Sequence, residues 1–210
     1  ISYYPSIFTL GHRYIENIFQ TPVLVEEKID GSQFSFMAHE DGSWTARSKG
    51  RELVPGDIDK IFKPAVDTFV SLLPVLKKGW IYRGEAVCKP KHNTIAYNRA
   101  PKGGIILFDV DNGLENYLSR KDKEDEVERL GLEIVPVLYE GIVGSFEKIK
   151  GFMELESVLG GSKIEGMVIK NYALFGMDKK VLMGKFVSEA FKEKHRKDWK
   201  NSNPAKGDII

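Results

Sequence analysis

Apolar residues recur along the chain with two periods. Val23-Leu24-Val25, Phe34-Ser35-Phe36-Met37 and Trp44-Thr45-Ala46-Arg47 are short, β-branched or aromatic runs that predict strands. Asp30-Gly31 and Asp41-Gly42 separate them, and both pairs predict tight hairpins, because glycine accepts positive φ and aspartate bonds its own backbone. Ile61, Phe62, Ala65, Val66, Phe69, Val70 and Leu73 then return at helical spacing, predicting a helix over about 58–76 unless Pro64 sets a later start. Strands are expected at 80–87 and 104–110. Ser119 as N-cap and Gly131 as stop bracket an acidic, mostly solvated helix. A strand over 132–139, a helix from Ser145 to about Leu159, strands at 166–171 and 181–187 and a basic helix from Ser188 to about Lys200 complete the pattern. Strands predominate and helices interrupt them irregularly, without βαβα alternation, so the expected class is α+β.

Composition narrows the reading only in part. The 210 residues, 42% hydrophobic and 29% charged, suit a globular chain with a sizeable core. A net charge of +1 excludes a polycation, so any nucleic-acid surface must come from local clustering. Cys88 stands alone, which excludes an internal disulfide and a multi-cysteine zinc site and points to a reducing compartment. No apolar run approaches the roughly 20 residues of a membrane span, so the expectation is a soluble, intracellular, cytoplasmic monomer.

Several acid- or lysine-bearing stretches fall at strand ends: Glu27-Lys28-Ile29-Asp30-Gly31, Ala46-Arg47-Ser48, Tyr82-Arg83-Gly84-Glu85, Leu107-Phe108-Asp109, Glu165-Gly166-Met167-Val168-Ile169-Lys170 and Gly184-Lys185-Phe186. A turn needs the Asp30-Gly31 pair but not Lys28. A lysine amine, with an ordinary pKa near 10.4, becomes a nucleophile only where desolvation, a bound cation or neighbouring lysines favour its neutral form. Glu26, Glu27 and Asp30 would oppose this if they faced the amine, and strand alternation puts Glu26, but not Glu27, on its side. From Ala86 through Phe108 there is no acid, while Lys89, Lys91, Arg99 and Lys102 surround Tyr97. The last predicted helix adds Lys192, Lys194, Arg196, Lys197 and Lys200, and both clusters suit a phosphate backbone. His92 lacks a histidine or cysteine at ligand spacing and is not expected to bind metal.

Taken in order, these stretches resemble the six motifs of the covalent nucleotidyltransferases: ATP-dependent DNA ligases, RNA ligases and mRNA capping enzymes. The resemblance covers about residues 23–192. It implies a nucleotidyltransferase (ATP-grasp-like) domain of antiparallel sheets with flanking helices. It also implies that Lys28 attacks the α-phosphate of ATP and holds AMP as a phosphoramidate. By the same resemblance Glu27 or its backbone, just before the lysine, lies by the adenine, with Glu26 and Ile29 also counted as nucleotide-binding, Arg47 near the ribose or incoming phosphate, Glu85 on the ribose diol and Phe108 against the purine. A core role for Phe108 stays open, and Asp109 reads as structural. Glu165 is expected to take a divalent metal, magnesium or manganese, and Lys170 the α-phosphate, which implies a bend or bulge near Gly166. Lys185 matches the first lysine of a Lys-x-Lys pair whose second is replaced by Val187, with Lys179 or Lys180 as compensating candidates.

Within the superfamily, Gln33 stands where DNA ligases and capping enzymes commonly carry arginine. Too few residues follow Lys185 for an OB-fold, and residues 188–200 resemble the short basic helix of nick-sealing, phage-type RNA ligases. Gly31-Ser32-Gln33-Phe34 is similar to their sequence after the lysine, although Asp30 stands where many of them have histidine. The expected activity is therefore ATP-dependent RNA ligation: a lysyl-AMP intermediate, adenylation of a 5′-phosphate end and attack by a 3′-hydroxyl. The expected partners are RNA ends or a nicked RNA or RNA/DNA duplex. Residues 1–187 would form the adenylation domain and 188–210 a basic helix and tail. The alternatives are a DNA ligase core without its OB domain, a capping guanylyltransferase using GTP, and a decayed nucleic-acid-binding module.

Overall fold

The structure is a computed structural model that describes residues 1–202; the end of the expected tail, 203–210, lies outside the described residues. Its elements are β1 (Ile7–Thr9), β2 (Val23–Lys28), β3 (Ser32–Ala38), β4 (Trp44–Ser48), β5 (Glu52–Leu53), α1 (Lys63–Leu72), β6 (Ile81–Ala86), β7 (Ile105–Asp111), α2 (Arg120–Arg129), β8 (Glu133–Ile134), β9 (Val137–Gly141), α3 (Glu147–Lys150), β10 (Gly166–Phe175), β11 (Val181–Val187) and α4 (Glu189–Ser202). They form two sheets, ordered β1-β11-β10-β2-β9 and β5-β4-β3-β6-β7-β8. All pairs are antiparallel except β1 with β11 and β7 with β8. The class is α+β, as the irregular pattern predicts.

Asp41-Gly42 turns a hairpin between β3 and β4, with Gly42 at φ +89° and the Ser43 amide donating to Asp41 Oδ1. Asp30-Gly31 does not. β2 pairs with β10 and β9, whereas β3 pairs with β4 and β6, so residues 29–31 carry the chain from one sheet to the other. The pair is chosen for contact, not for turning: a Cβ on Gly31 would meet Ala86 O at 2.7 Å, and Asp30 accepts hydrogen bonds from the Thr94 and Ile95 amides at 2.8 and 2.7 Å.

Three other expectations shift. The strand over 132–139 is two short strands, because the chain passes here from one sheet to the other: the Val135 amide donates to the Leu107 carbonyl of β7, while the Pro136 carbonyl accepts from the Glu27 amide of β2 and proline has no N–H to give. The helix over 145–159 shrinks to α3 and one 3-10 turn ending at Glu154, since the Ser157 hydroxyl and Val158 amide turn instead to the Glu27 carboxylate. α2 has its predicted Ser119 cap, but it is not a solvated helix, for Arg120, Lys123, Glu126 and Val127 are buried. Apolar side chains gather in one core under α1 (Phe34, Phe36, Phe69, Tyr82) and another against the first sheet (Val25, Ile149, Met167, Ile169). A third cluster, Ile29, Val87, Ile95, Tyr97 and Ile106, fills the seam between the sheets, with Phe108 and Phe191 packed on it. Among the described residues no helix is long and apolar enough to cross a membrane.

Candidate active site

The seam opens into a cavity of about 560 Å³ walled by both sheets and by residues 2–8. In the first sheet Gly166 stands opposite Lys28, and Val168 stands opposite Glu26 on one side and Lys185 on the other. Cross-strand partners share a face, so Glu26, Lys28, Val168, Lys170 and Lys185 all line this cavity. From the second sheet come Gln33, Arg47, Lys49, Glu85 and Phe108. Of the residues singled out in the sequence for nucleotide contact, Glu26, Glu27, Ile29, Arg47, Glu85, Phe108, Lys170 and Lys185 are therefore brought to one cavity with Lys28.

The acids around Lys28 are occupied elsewhere. Glu26 binds Lys170, Lys123 and Arg120; Glu27 accepts from the Ser157 hydroxyl at 2.6 Å and the Val158 amide at 3.0 Å; Asp30 holds the 94–95 loop. Lys28 instead meets Glu165, with Nζ 3.0 Å from Oε1, and its side chain retains 24% exposure at the cavity rim. Burial would push the amine's pKa down, but the Glu165 and Glu85 carboxylates outweigh it and hold it above the ordinary lysine value. Without substrate, then, Lys28 is an ammonium. Burial raises the Glu165 pKa against the pull of Lys28. Glu85, half-buried beside Glu165 and Asp30, is pushed up to about 8 by partial burial although Lys28 draws it down. Lys185 is shifted the other way, by burial and then by Lys28 and Lys49.

Under the cavity lies a charged network that sequence reasoning missed except for Glu26, Lys170 and Asp109. Lys170 is 2.6 Å from Glu26 and 3.1 Å from Asp109; Lys123, fully buried on α2, is 2.9 Å from Glu26 and 3.4 Å from Asp109; Arg120 also pairs with Glu26. Tyr4 and Tyr172 donate to Asp109. Burial alone would raise both carboxylates, but the lysines hold each below its ordinary value. Asp109 is thus held by two lysines and two tyrosine hydroxyls. Lys170 stands opposite Leu24, four residues along the ladder from Lys28, roughly 13 Å away at strand spacing. Its ammonium sits 5.0 Å from the Phe108 ring centre. Phe108 packs on the core and also lines the cavity. Arg47 lies 4.6 Å above the Tyr3 ring. The ladder from Gly166 to Asn171 is regular, so the expected bulge is absent; Glu165 precedes the strand and is free of its alternation. Gly166 serves close packing, as a Cβ there would come within 2.9 Å of Val187 Cα.

The basic residues are engaged in different ways. Lys89 and Lys91 are exposed on the loop beside His92, which is hydrogen-bonded through both ring nitrogens, to Ser32 at 2.8 Å and the Cys88 amide at 3.0 Å. Arg99 is tied by two bonds to Glu133, which also accepts from the Lys102 amide. Arg196 lines a second cavity with Lys28. Lys180 does not compensate for Val187, because it binds Tyr3 O and Glu115, and Lys179 is in the turn between β10 and β11. Lys49, beside Lys185, is the cation that the sequence did not disclose.

Among the described residues no three His, Cys, Asp or Glu side chains gather into a metal cage. Glu165 Oε2, however, is buried with no hydrogen-bond partner in the structure, while Oε1 holds Lys28. One carboxylate with a vacant oxygen, and a second nearby in Glu85, fits a hard cation that takes its remaining ligands from phosphate oxygens.

A sequence model of the family described as RNA ligase matches residues 21–187. The chain belongs to the RNA ligase family. No curated protein matches it. In fold, this RNA ligase family member is similar to Naegleria gruberi RNA ligase solved with pyrophosphate, at 20% identity and a TM-score of 0.69, over 94% of this chain and 58% of that one. A variant of the same protein solved with ATP and Mn gives 20% identity and a TM-score of 0.70 over 93% and 58%. Another, with AMP and Mn, gives 20% and 0.69 over 93% and 58%. The RNA ligase family member thus spans 58% of the length of these solved structures.

Proposed function

We propose that this chain is the adenylation unit of an ATP-dependent RNA ligase, with residues 1–187 as the catalytic body and 188–210 as a basic appendage. The observation that carries the reading is the placement of Lys28: a rim amine, in contact with a carboxylate whose other oxygen is vacant, at a cavity shared by both sheets. Phe108 offers a purine its ring face, and Glu85 offers a ribose diol an acceptor. Lys185 and Lys49 set positive charge beside Lys28, where the α-phosphate would lie.

The free amine's raised pKa means that substrate loading must remove its proton, which passes to solvent across the open rim. The nitrogen lone pair then forms the N–P bond, the bond from the α-phosphorus to its bridging oxygen breaks, and pyrophosphate leaves with that electron pair. Glu165 would hold a divalent cation, magnesium or manganese, which would supply charge neutralisation of the triphosphate and disfavour the charged form of Lys28. The adenylate then passes to a 5′-phosphate RNA end, and a 3′-hydroxyl displaces AMP. Lys170 holds Glu26 in place beneath the nucleoside and stays within its network.

Incubation with α-labelled ATP and magnesium is expected to leave label on Lys28, and Lys28→Ala to lose it while keeping its fold. Label from GTP in place of ATP would move the reading to a guanylyltransferase, and sealing of a DNA nick in preference to an RNA nick would move it to a DNA ligase.

A further inference from the structure

Lys28 stands between two cavities. The second, of about 500 Å³, shares Lys28, Ile29, Gly31, Glu85 and Lys185 with the first, and its outer wall is α4. A nucleoside in the first cavity puts its α-phosphate at the shared residues, so the phosphates beyond it have the second cavity to enter. There they meet Lys192, His195 and Arg196, which helical spacing sets on one face of α4.

This face is held toward Lys28 by three contacts. Phe191 packs on the seam cluster that contains Ile29. The Phe191 amide donates to Ser188 Oγ at 3.1 Å, capping the helix start. His195 stacks on Phe191 and bonds through Nδ1 to Thr94 Oγ1 at 3.1 Å, and Thr94 is itself bound to Asp30, two residues from Lys28. The charge is available as well as aimed. Arg196 has no ion pair among the described residues, and Lys192 has only an exposed one, 3.2 Å to Glu189 one turn away. Lys192 is near enough to Lys185 to disfavour the latter's proton, which places both in one field. Val187, the residue standing where a second lysine was expected, lines the same cavity.

Resting on the ligase reading above, we propose that Lys192 and Arg196 of α4 bind the β- and γ-phosphates of ATP and the departing pyrophosphate, supplying from the helix the cation that Val187 removes from the strand. The same chemistry would suit the 5′-phosphate of an RNA end, so the test separates the two sources. Wild type, Lys192→Ala/Arg196→Ala and the charge-retaining Lys192→Arg are compared in three reactions: single-turnover labelling of Lys28 from α-labelled ATP, reversal of the isolated adenylate by pyrophosphate, and transfer of that adenylate to 5′-phosphorylated RNA. Loss of charge-assisted contacts should slow labelling and reversal by roughly 10- to 100-fold in the double variant, with Lys192→Arg close to wild type and AMP binding unchanged. This pattern supports the assignment whether or not transfer also slows. Labelling and reversal at wild-type rates overturn it, and if transfer alone is lost the two cations belong to the RNA end. Absence of label on the wild type overturns the ligase reading itself, and the assignment with it.

Discussion

Glu85 has a carboxylate that burial keeps from releasing its proton until about pH 8, against an ordinary value of 4.5. Between those values the folded chain holds a proton that the unfolded chain has lost, so this group withdraws stability as pH rises through that window. Glu85→Gln removes the effect. Its Tm should equal that of wild type near pH 4 and exceed it by a few degrees at pH 8, while its affinity for ATP falls. A Tm difference that does not widen between pH 4 and pH 8 would refute the burial argument. Residues of this kind were legible in sequence because each stands in a short ordered stretch: Lys28, Arg47, Glu85, Phe108, Glu165 and Lys185 all reach the cavity region. The partner of Lys28 was harder to read. Alternation assigned Glu26 to its face, and the face is right, but three buried cations claim that carboxylate, and Glu165 from outside β10 takes its place.

At the scale of elements, α2 is the clearest departure from expectation. Its sequence, rich in Lys, Asp, Glu and Arg, has the composition of a solvated helix, and nothing in its spacing marks Lys123 as fully buried. Lys123 joins α2 to β2 through Glu26, to β7 through Asp109 and the Phe108 carbonyl, and to β10 through Tyr172. Removing one partner leaves buried carboxylates undercompensated, so Lys123→Ala is expected to cost about 3–5 kcal/mol in chemical denaturation, far more than an exposed lysine such as Lys121. Equal losses at the two positions would contradict the network's role. Crossings between elements show the same limit. Asp30-Gly31 carries the local signal of a hairpin, but its meaning depends on which strand lies beside it, and β6 rather than β2 is the neighbour of β3.

At the scale of the molecule, the cavity belongs to neither sheet alone, since Lys28, Lys170 and Lys185 come from one and Arg47, Glu85 and Phe108 from the other. A bound nucleotide therefore links the two. ATP at a hundredfold excess over its Kd should raise unfolding stability by about 2.7 kcal/mol. Lys28→Ala, which cannot form the adenylate, should show a comparable reversible shift in thermal unfolding. If ATP stabilises neither protein, the seam is not the nucleotide site.

Most of the strands and helices, though not the short β1 and β5, the Asp41-Gly42 hairpin, the α2 cap and the motif residues are legible in the sequence alone. Periodicity, turn chemistry and helix capping act over a few residues, within the reach of local reading. Which strands pair, which acid meets Lys28, why Lys123 is buried and why α4 faces the second cavity were decided only by the tertiary structure. These depend on contacts between residues distant in sequence, from the β3–β6 ladder to Lys123 with Glu26 and Lys28 with Glu165, whose energies arise only when folding removes water from both partners.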